Sequence, residues 1–334
     1  MQNIRTRNLY ILKEKLVSNM KRHTLCAAAV TAAAAAIGGG LFYAYNNAFQ
    51  HDPKRQAGIR EIPDGELYAP HKELMLKNID ALLKEPYERI TIRSHDGLKL
   101  VGKYYAGPEG APLILFFHGY RSTAERDASG GFWYCRERGY SLLMVDQRAL
   151  GESEGRSITF GIKERQDCLT WVNEVIRRFG PDIKILLAGI SMGAATVLMA
   201  AELPLPENVR GIWADCGFDT PEGILRETIR QRRMPEKIVY PLVHCSGRLL
   251  AGIKVDSVSA VESLRHAKVP VLLIHGEEDE IVPLSHAYAL RDACASPVTL
   301  LTVPHAAHGI SYYVDTDAYW AALDELCSRA FSDH

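Results

Sequence analysis

Ser191 lies between two glycines in the stretch Gly189-Ile190-Ser191-Met192-Gly193, after an apolar run and before an alanine-rich run. This order places the serine on a sharp strand-to-helix turn, from which its hydroxyl projects above a sheet. Such a turn is strained and crowded, so its flanking residues must be small, and the two glycines meet that need. The N–H of Met192, at the start of the helix, can bind a developing oxyanion. The pattern therefore indicates a candidate nucleophile.

Carboxylates and histidines follow the last two apolar runs of the chain. They are Glu277, Glu278 and Asp279 after residues 269–276, and His305 and His308 after residues 298–304. A serine becomes a nucleophile when a histidine takes its proton and a carboxylate orients that histidine. Asp215, after an earlier run, is a further candidate acid. We prefer His308 as the base because Gly309 follows it and lets the loop return over the serine, whereas His305 directly follows Pro304 and is expected to be structural.

Five segments together make the chain from about residue 90 to residue 331 resemble the α/β-hydrolase superfamily. The segments are HGY (118–120), VDQRALGESEG (145–155), GISMG (189–193), HGEEDEIVP (275–283) and HAAHGISYY (305–313). They are similar, in that order, to the family's oxyanion motif, its Asp-x-Arg-x-x-Gly-x-Ser loop, its nucleophile turn, its acid loop and its histidine loop. Ala149 stands where the family usually has glycine. The finer resemblance is to membrane-anchored or secreted esterases, lysophospholipases and serine-peptidase-like hydrolases.

The resemblance implies a fold, a set of site residues and a mechanism. The implied fold is an α/β-hydrolase fold, with a mostly parallel eight-stranded sheet flanked by helices and a helical lid. Ser191 would attack an acyl carbon, His308 would take and return the proton, and Asp279 would orient the imidazole. The backbone N–H groups of Tyr120 and Met192 would bind the oxyanion. Water would release the acyl-enzyme, so no cofactor and no metal is expected.

The elements that must position these residues can be read from short apolar runs that alternate with helix-like segments. Two strands are predicted around an Asp96-Gly97 turn. Six apolar runs follow, at 112–119, 140–147, 183–191, 209–216, 269–276 and 298–304, and helical patterns lie near 124–138, 163–179, 192–202, 284–295 and 317–331. Such an alternation predicts a mostly parallel sheet covered on both faces, with ligand sites beyond the C-terminal ends of the strands.

The segment 217–268 is too long for a simple crossover between strands, and we expect a helical lid or cap there. The α/β-hydrolase domain is predicted to span 89–334, with this lid as an insertion. Five basic residues of the lid form a cluster: Arg226, Arg230, Arg232, Arg233 and Lys237. The cluster is either a solvated helix face or a contact for an anionic substrate group or lipid headgroups.

The N-terminal region predicts a membrane anchor. No charged residue occurs from Thr24 to Gln50, and six basic residues and one acid precede this stretch. We expect a basic segment at 1–23, a transmembrane signal-anchor helix at 24–45, and a connector with a packing helix at 46–88. The flanking cations place the N-terminus in the cytoplasm and the catalytic domain outside it. A cleaved secretory signal, a soluble alanine-rich helix and a start at Met20 are the alternatives.

Composition narrows the remaining classes of function. The net charge of the 334 residues is -1, which gives no overall indication of a nucleic-acid partner. Seven cysteines are dispersed without a C-x-x-C pair, which argues against a disulfide framework or structural zinc. We therefore expect a serine hydrolase that cleaves carboxylic esters of a small-molecule or lipid-like acyl substrate. A peptidase or amidase, a thioesterase and a non-catalytic binding protein are the alternatives.

Overall fold

A central sheet of eight strands organises the chain, of which a computed structural model describes residues 2–332, with side chains from Lys13 onward except at 14, 18, 26, 27 and 29. The strands are β1 (Glu88–Arg93), β2 (Lys99–Tyr105), β3 (Leu113–Phe117), β4 (Ser141–Asp146), β5 (Ile185–Ile190), β6 (Val209–Asp215), β7 (Val271–Gly276) and β8 (Val298–Val303). Their order across the sheet is β1-β2-β4-β3-β5-β6-β7-β8. β2 runs antiparallel to both of its neighbours, β1 and β4. The strands β3 to β8 are parallel to one another. The predicted α/β-hydrolase fold is confirmed.

Helices cover both faces of the sheet, which explains why β3, β4 and β7 are buried along their whole length. The helices are α1 (Gln2–Ala48), α2 (Lys72–Leu82), α3 (Ala124–Glu137), α4 (Glu164–Phe179), α5 (Met192–Ala200), α6 (Pro221–Gln231), α7 (Glu236–Ser246), α8 (Ala260–Leu264), α9 (Ser285–Ala293), α10 (Ser311–Val314) and α11 (Thr316–Phe331). Because the parallel strands share one direction, the loops that follow β3, β5, β7 and β8 meet at one edge of the sheet. The predicted site residues lie in those loops.

The segment after β6 folds into helices, as its length and composition indicated. It contains α6, α7, a π-helical turn at Gly247–Ala251 and α8. Thr220 caps α6, since its hydroxyl accepts the N–H of Gly223 at 2.8 Å. Two members of the basic cluster, Arg226 and Arg230, form ion pairs within this segment, with Glu222, Glu227 and Glu236. Arg232, Arg233 and Lys237 are exposed, so the cluster is only partly neutralised.

α1 extends beyond both limits of the helix predicted at 24–45, because the basic segment before it and the first residues of the connector are also helical. Within it, Lys15–Ala48 is long and apolar enough to cross a membrane. The end of α1 packs against α7 and the π-helical turn, and Phe49, directly after it, is fully buried in the core of the catalytic domain. This terminal segment is therefore part of the folded domain as well as a candidate anchor.

The connector packs below the loop that carries His308. It contains a short 3₁₀ helix at Pro53–Arg55 and the helix α2, Lys72–Leu82, which lies within the segment 46–88 where a packing helix was expected. Apolar side chains of the connector form a small core with residues after β8: Ile62, Met75 and Ile79 with Ala307, Ile310 and Tyr313. The connector thus supports the histidine loop from outside the sheet.

Candidate active site

Ser191 occupies a strained turn between β5 and α5. Its backbone has φ 55° and ψ −117°, a conformation that is costly for a residue with a side chain. A Cβ added at Gly189 would lie 2.3 Å from the carbonyl carbon of Gly193, and a Cβ at Gly193 would lie 2.0 Å from the carbonyl oxygen of Phe117. Only glycine fits at either position. The turn therefore holds the serine side chain above the ends of the strands, as its sequence predicted.

His308 and Asp279 complete a continuous hydrogen-bonded chain with the serine. The His308 Nε2 atom lies 2.9 Å from Ser191 Oγ, and Nδ1 lies 2.7 Å from Asp279 Oδ2. The other carboxylate oxygen of Asp279 accepts the N–H groups of Ile281 and Val282 at 2.9 and 2.8 Å. Both oxygens of the carboxylate are thus fixed, and the imidazole is oriented with Nε2 toward the hydroxyl.

Burial and charge act in opposite directions on this pair. Burial raises the pKa of the Asp279 carboxyl, but the charge and hydrogen bond of His308 outweigh it and hold that pKa below its ordinary value. Burial also disfavours a charged His308, yet the Asp279 carboxylate outweighs it and raises the pKa of the imidazole. The carboxylate therefore stabilises the imidazolium that forms when the serine proton is transferred.

The competing acids and the second histidine lie in other environments. Asp215 accepts the hydroxyl of Tyr319 at 2.8 Å, and its complete burial raises its pKa to about 7. Glu278 pairs with the exposed His305 at 2.8 Å, and Glu277 accepts the hydroxyl of Thr302. The geometry thus brings Asp279 and His308, rather than these residues, to Ser191.

The two predicted oxyanion donors flank the serine. A Cβ at Gly119 would lie 3.3 Å from Cβ of Ser191, so the loop after β3 passes directly beside it. The N–H of Gly119 is occupied by the Asp127 carboxylate at 2.7 Å, whereas Tyr120, the next residue, lines the same cavity as Ser191. The N–H of Met192 belongs to the first residue of α5 and precedes the first intrahelical hydrogen bond. Both positions suit donors to an oxyanion formed at Ser191.

Ser191 opens into a cavity of about 440 Å³ with largely apolar walls. The walls come from the segment 217–268, the loops after β3, β4 and β7 and the end of α1. They include Tyr120, Phe160, Phe218, Leu225, Ile229, Leu242 and Val243. A cavity of this size and lining suits an apolar acyl group rather than a charged one.

Several residues that shape the site carry no recognisable sequence signal. The hydroxyl of Tyr68, in the connector, donates to the carbonyl of His308 at 2.9 Å and fixes the histidine loop. The hydroxyl of Tyr120 donates to the carbonyl of Ala48 at 2.8 Å and joins the oxyanion loop to the end of α1. Neither Tyr68 nor the side chain of Tyr120 stands in a sequence motif that would have indicated its contact with the site.

Among the described residues, two clusters bring three potential metal ligands within 4.8 Å of one another. The clusters are Cys216, Asp279 and His308, and His95, Asp96 and Asp167. In the first, the carboxylate and the imidazole bind each other. In the second, both carboxylates bind the guanidinium of Arg148, at 2.9 Å from Asp96 and 2.6 Å from Asp167. A cation at the second cluster would meet this guanidinium charge.

Comparison with known proteins gives the family. A family model for the alpha/beta hydrolase fold matches residues 112–236, which include Ser191 and end before Asp279 and His308. The match and the observed fold support a hydrolase of the α/β-hydrolase superfamily. It is 25% identical over 225 residues to the uncharacterized protein YqkD of Bacillus subtilis, an alignment that covers 67% of this chain and 73% of that protein. It is 24% identical over 233 residues to mitochondrial palmitoyl-protein thioesterase ABHD10 of Rattus norvegicus, with 65% and 76% covered.

Solved structures agree on the architecture of this superfamily member. An esterase from Pyrococcus furiosus superposes with a TM-score of 0.62 at 22% identity, over 75% of this chain and 94% of that chain. The mouse alpha/beta hydrolase domain-containing protein 10 superposes with a TM-score of 0.54 at 21% identity, over 72% and 99%. At these identities the likeness shows the fold. Together with the family model, these relatives support a hydrolase activity.

Proposed function

We propose that the protein is a serine hydrolase that cleaves carboxylic esters through Ser191, His308 and Asp279. The observation that carries the proposal is the unbroken hydrogen-bonded chain from Ser191 Oγ through the imidazole to Asp279, at 2.9 and 2.7 Å. A serine hydroxyl is a weak nucleophile at neutral pH, and such a chain activates it. The chain ends in the cavity, where an acyl group has room to bind.

The reaction follows from the positions of these groups. His308 Nε2 takes the hydroxyl proton as Ser191 Oγ attacks the acyl carbon, and the N–H groups of Tyr120 and Met192 bind the oxyanion. The imidazolium, stabilised by Asp279, then protonates the leaving alkoxide, which gives an acyl-enzyme and an alcohol. Water attacks the acyl-enzyme with His308 again as base, and the acid product leaves with the serine restored.

A thioesterase is the second candidate. Two relatives favour it by their names: the rat palmitoyl-protein thioesterase ABHD10, and thiohydrolase aneE of Aspergillus aculeatus, which is 28% identical over 156 residues. The first half of the reaction is the same, but a thiolate leaves in place of an alkoxide and depends less on protonation by His308.

The membrane anchor belongs to the same proposal. The apolar part of α1 would span the bilayer, with the basic residues before it on the cytoplasmic side and the catalytic domain outside the cytoplasm. A reporter fused after Phe331 is expected to be active only as an extracytoplasmic protein. A cytoplasmic reporter signal would overturn this orientation, and release of the protein without α1 would indicate a cleaved signal.

The test of the chemistry compares three substrates with one acyl group, an oxygen ester, a thioester and an anilide, on the full-length protein in detergent micelles. We expect turnover of the ester to exceed that of the anilide, and Ser191→Ala to abolish it. Ser257→Ala, at an exposed serine of the lid segment, is the matched control and should retain activity. Preference for the thioester would select the thioesterase, and activity that persists in Ser191→Ala would refute the proposed nucleophile.

A further inference from the structure

One face of α1 near its end lines the cavity that contains Ser191. The residues on this face are Gly40, Tyr43, Ala44, Asn47 and Ala48. Their spacing of three and four residues puts them on one side of a helix. The stripe runs for about 12 Å along the helix axis, at about 1.5 Å per residue. The candidate membrane anchor is therefore also a wall of the candidate active site.

Hydrogen bonds fix this wall to the oxyanion loop. The hydroxyl of Tyr120 donates to the carbonyl of Ala48 at 2.8 Å, and the guanidinium of Arg121 donates to the carbonyls of Asn47 and Gln50 at 3.1 and 3.2 Å. The carbonyls of Asn47 and Ala48 belong to the last turn of α1, which leaves them without intrahelical partners, and the Arg121 cation is attracted to the negative end of the helix dipole. The Ala48 end of the stripe is thereby held beside the oxyanion loop, and the Gly40 end lies about two helical turns away along α1.

Small residues leave the far end of the cavity open. A Cβ added at Gly40 would lie 3.5 Å from Cδ1 of Leu242 on α7, whereas a Cβ added at Gly39 would have no atom within 4 Å. Ala44, one turn closer to the catalytic groups, is buried against the lid side of the helix. A larger side chain at position 40 would fill the space between the helix and the lid, and one at position 39 would point away from it.

Apolar side chains are also exposed on the elements that form or pack against the cavity wall. They are Val30, Ile37 and Phe42 on α1, Ile238 on α7 and Leu249 on the π-helical turn, and the last two elements pack against α1. Exposed apolar groups beside a helix that can span a membrane favour insertion into the bilayer rather than contact with water. An acyl chain beside α1 in the bilayer would thus meet apolar groups as far as the cavity.

We propose that the last turns of α1 bind the distal part of a long acyl chain, that residue 40 limits the chain length, and that the substrate is an acyl-ester lipid of the bilayer that α1 spans. The proposal rests on the ester hydrolase function proposed above. The catalytic groups act on the ester at one end of the cavity, and the anchor contacts the methyl end of the chain at the other. α1 thus determines specificity in addition to location.

The test uses full-length protein in lipid nanodiscs with p-nitrophenyl butyrate and p-nitrophenyl palmitate. Gly40→Leu is expected to lower the ratio of kcat/KM for palmitate to kcat/KM for butyrate about tenfold or more, because a pocket discriminates by the methylenes it can hold. Gly39→Leu is the matched control, since it makes the same change on the adjacent, open position. Adding Leu242→Ala to Gly40→Leu should restore palmitate turnover by removing the side chain that faces position 40.

Each outcome has a defined meaning. Equal palmitate-to-butyrate ratios in Gly40→Leu and Gly39→Leu would overturn the assignment of the wall. If Gly40→Leu also loses butyrate activity, the single variant Leu242→Ala is the deciding test. A shift of the preferred acyl-chain length to longer esters would support the assignment of the wall, and an unchanged preferred length would overturn it. A wild-type protein that is not labelled at Ser191 by a serine-reactive phosphonate would overturn the hydrolase function, and this proposal with it.

A second arm tests the source of the chain. Palmitate ester is placed either in the nanodiscs that hold the protein or in protein-free nanodiscs mixed with them. Faster hydrolysis in the shared bilayer supports entry from the membrane beside α1. Equal initial rates in the two arrangements would overturn membrane entry and indicate a substrate taken from water.

Discussion

The two ends of the cavity are built in different ways. At the catalytic end, Ser191 directly follows β5, and Asp279 and His308 lie in the loops that follow β7 and β8, so the sheet positions all three side chains. At the far end, the wall is a contact between α1 and α7, helices that are separated by most of the catalytic domain in the chain. On the proposed function, the sheet would fix the chemistry, whereas the choice of acyl chain would depend on how α1 docks on the domain.

The largest effect is expected at the catalytic end, from Asp279→Asn. The amide cannot stabilise the imidazolium, so kcat should fall by about 10⁴-fold, the loss seen when the orienting carboxylate of a serine protease is changed in this way. Steady-state ester hydrolysis measures the loss. Glu278→Gln, at a glutamate that pairs only with the exposed His305, is the matched control and should keep wild-type kcat. Equal activity of the two variants would remove Asp279 from the mechanism.

The turn that carries the nucleophile should tolerate no added atom. Gly193→Ala would place its Cβ 2.0 Å from the carbonyl oxygen of Phe117, so the free energy of unfolding should fall by about 3 kcal/mol or more. Gly58→Ala, where the nearest atom to the added Cβ would be at 3.7 Å, is the control and should change stability by less than about 0.5 kcal/mol. Denaturant unfolding in detergent compares them, and similar midpoints would contradict the close packing at the turn.

The pH dependence of ester hydrolysis should depend on the electrostatic interaction between His308 and Asp279. His308 must be neutral to accept the serine proton, and the Asp279 carboxylate raises the pKa of the imidazole. Activity should therefore be lost on acidification at a pH above the ordinary histidine value, and the residual activity of Asp279→Asn should be lost at a lower pH. A profile of kcat/KM against pH measures both inflections. An inflection that does not move in Asp279→Asn would argue against this electrostatic coupling.

The smallest effect is expected where the two ends meet, at Tyr120. Tyr120→Phe removes the hydroxyl that donates to Ala48 but leaves the backbone N–H that we propose as an oxyanion donor. Stability should fall by about 1 kcal/mol, the typical contribution of one hydrogen bond, with butyrate turnover nearly unchanged. Tyr288→Phe, at a half-exposed surface tyrosine, controls for loss of a hydroxyl. A large loss of butyrate activity in Tyr120→Phe alone would show that α1 supports the chemistry itself.

The catalytic end could be predicted from the sequence because its information is local. The glycines around Ser191 indicate a crowded turn. The apolar run before each of Ser191, Asp279 and His308 indicates the strand that the residue follows. The strands β3 to β8 follow from continuous apolar runs, which are typical of parallel strands covered on both faces, whereas β1 and β2 follow from the Asp96-Gly97 turn between them. The alanine at position 149 has φ 64°, which explains why the family prefers glycine there.

The far end could not be predicted, because its contacts join residues with no local pattern. There, a Cβ added at Gly40 would face Leu242 of the distant helix α7. At the catalytic end, the bond from Tyr68 to His308 is equally non-local, since it spans 240 positions of the chain. The absence of charges from Thr24 to Gln50 indicated a membrane anchor. Within that stretch, nothing in the sequence distinguished Gly40 and Ala44 from the other small residues of a weakly apolar span. Their place in the cavity becomes visible only when α1 is docked on α7.

The most direct test of the central claim is the mass of the full-length protein after reaction with a serine-reactive phosphonate. A hydroxyl activated by His308 should form one covalent adduct, and peptide mapping should place it on Ser191. The account predicts one adduct on the wild type, none on Ser191→Ala and slow formation on Asp279→Asn. A folded wild-type protein that gains no adduct, or an adduct that remains in Ser191→Ala, would contradict the account and favour a non-catalytic binding protein or a different nucleophile.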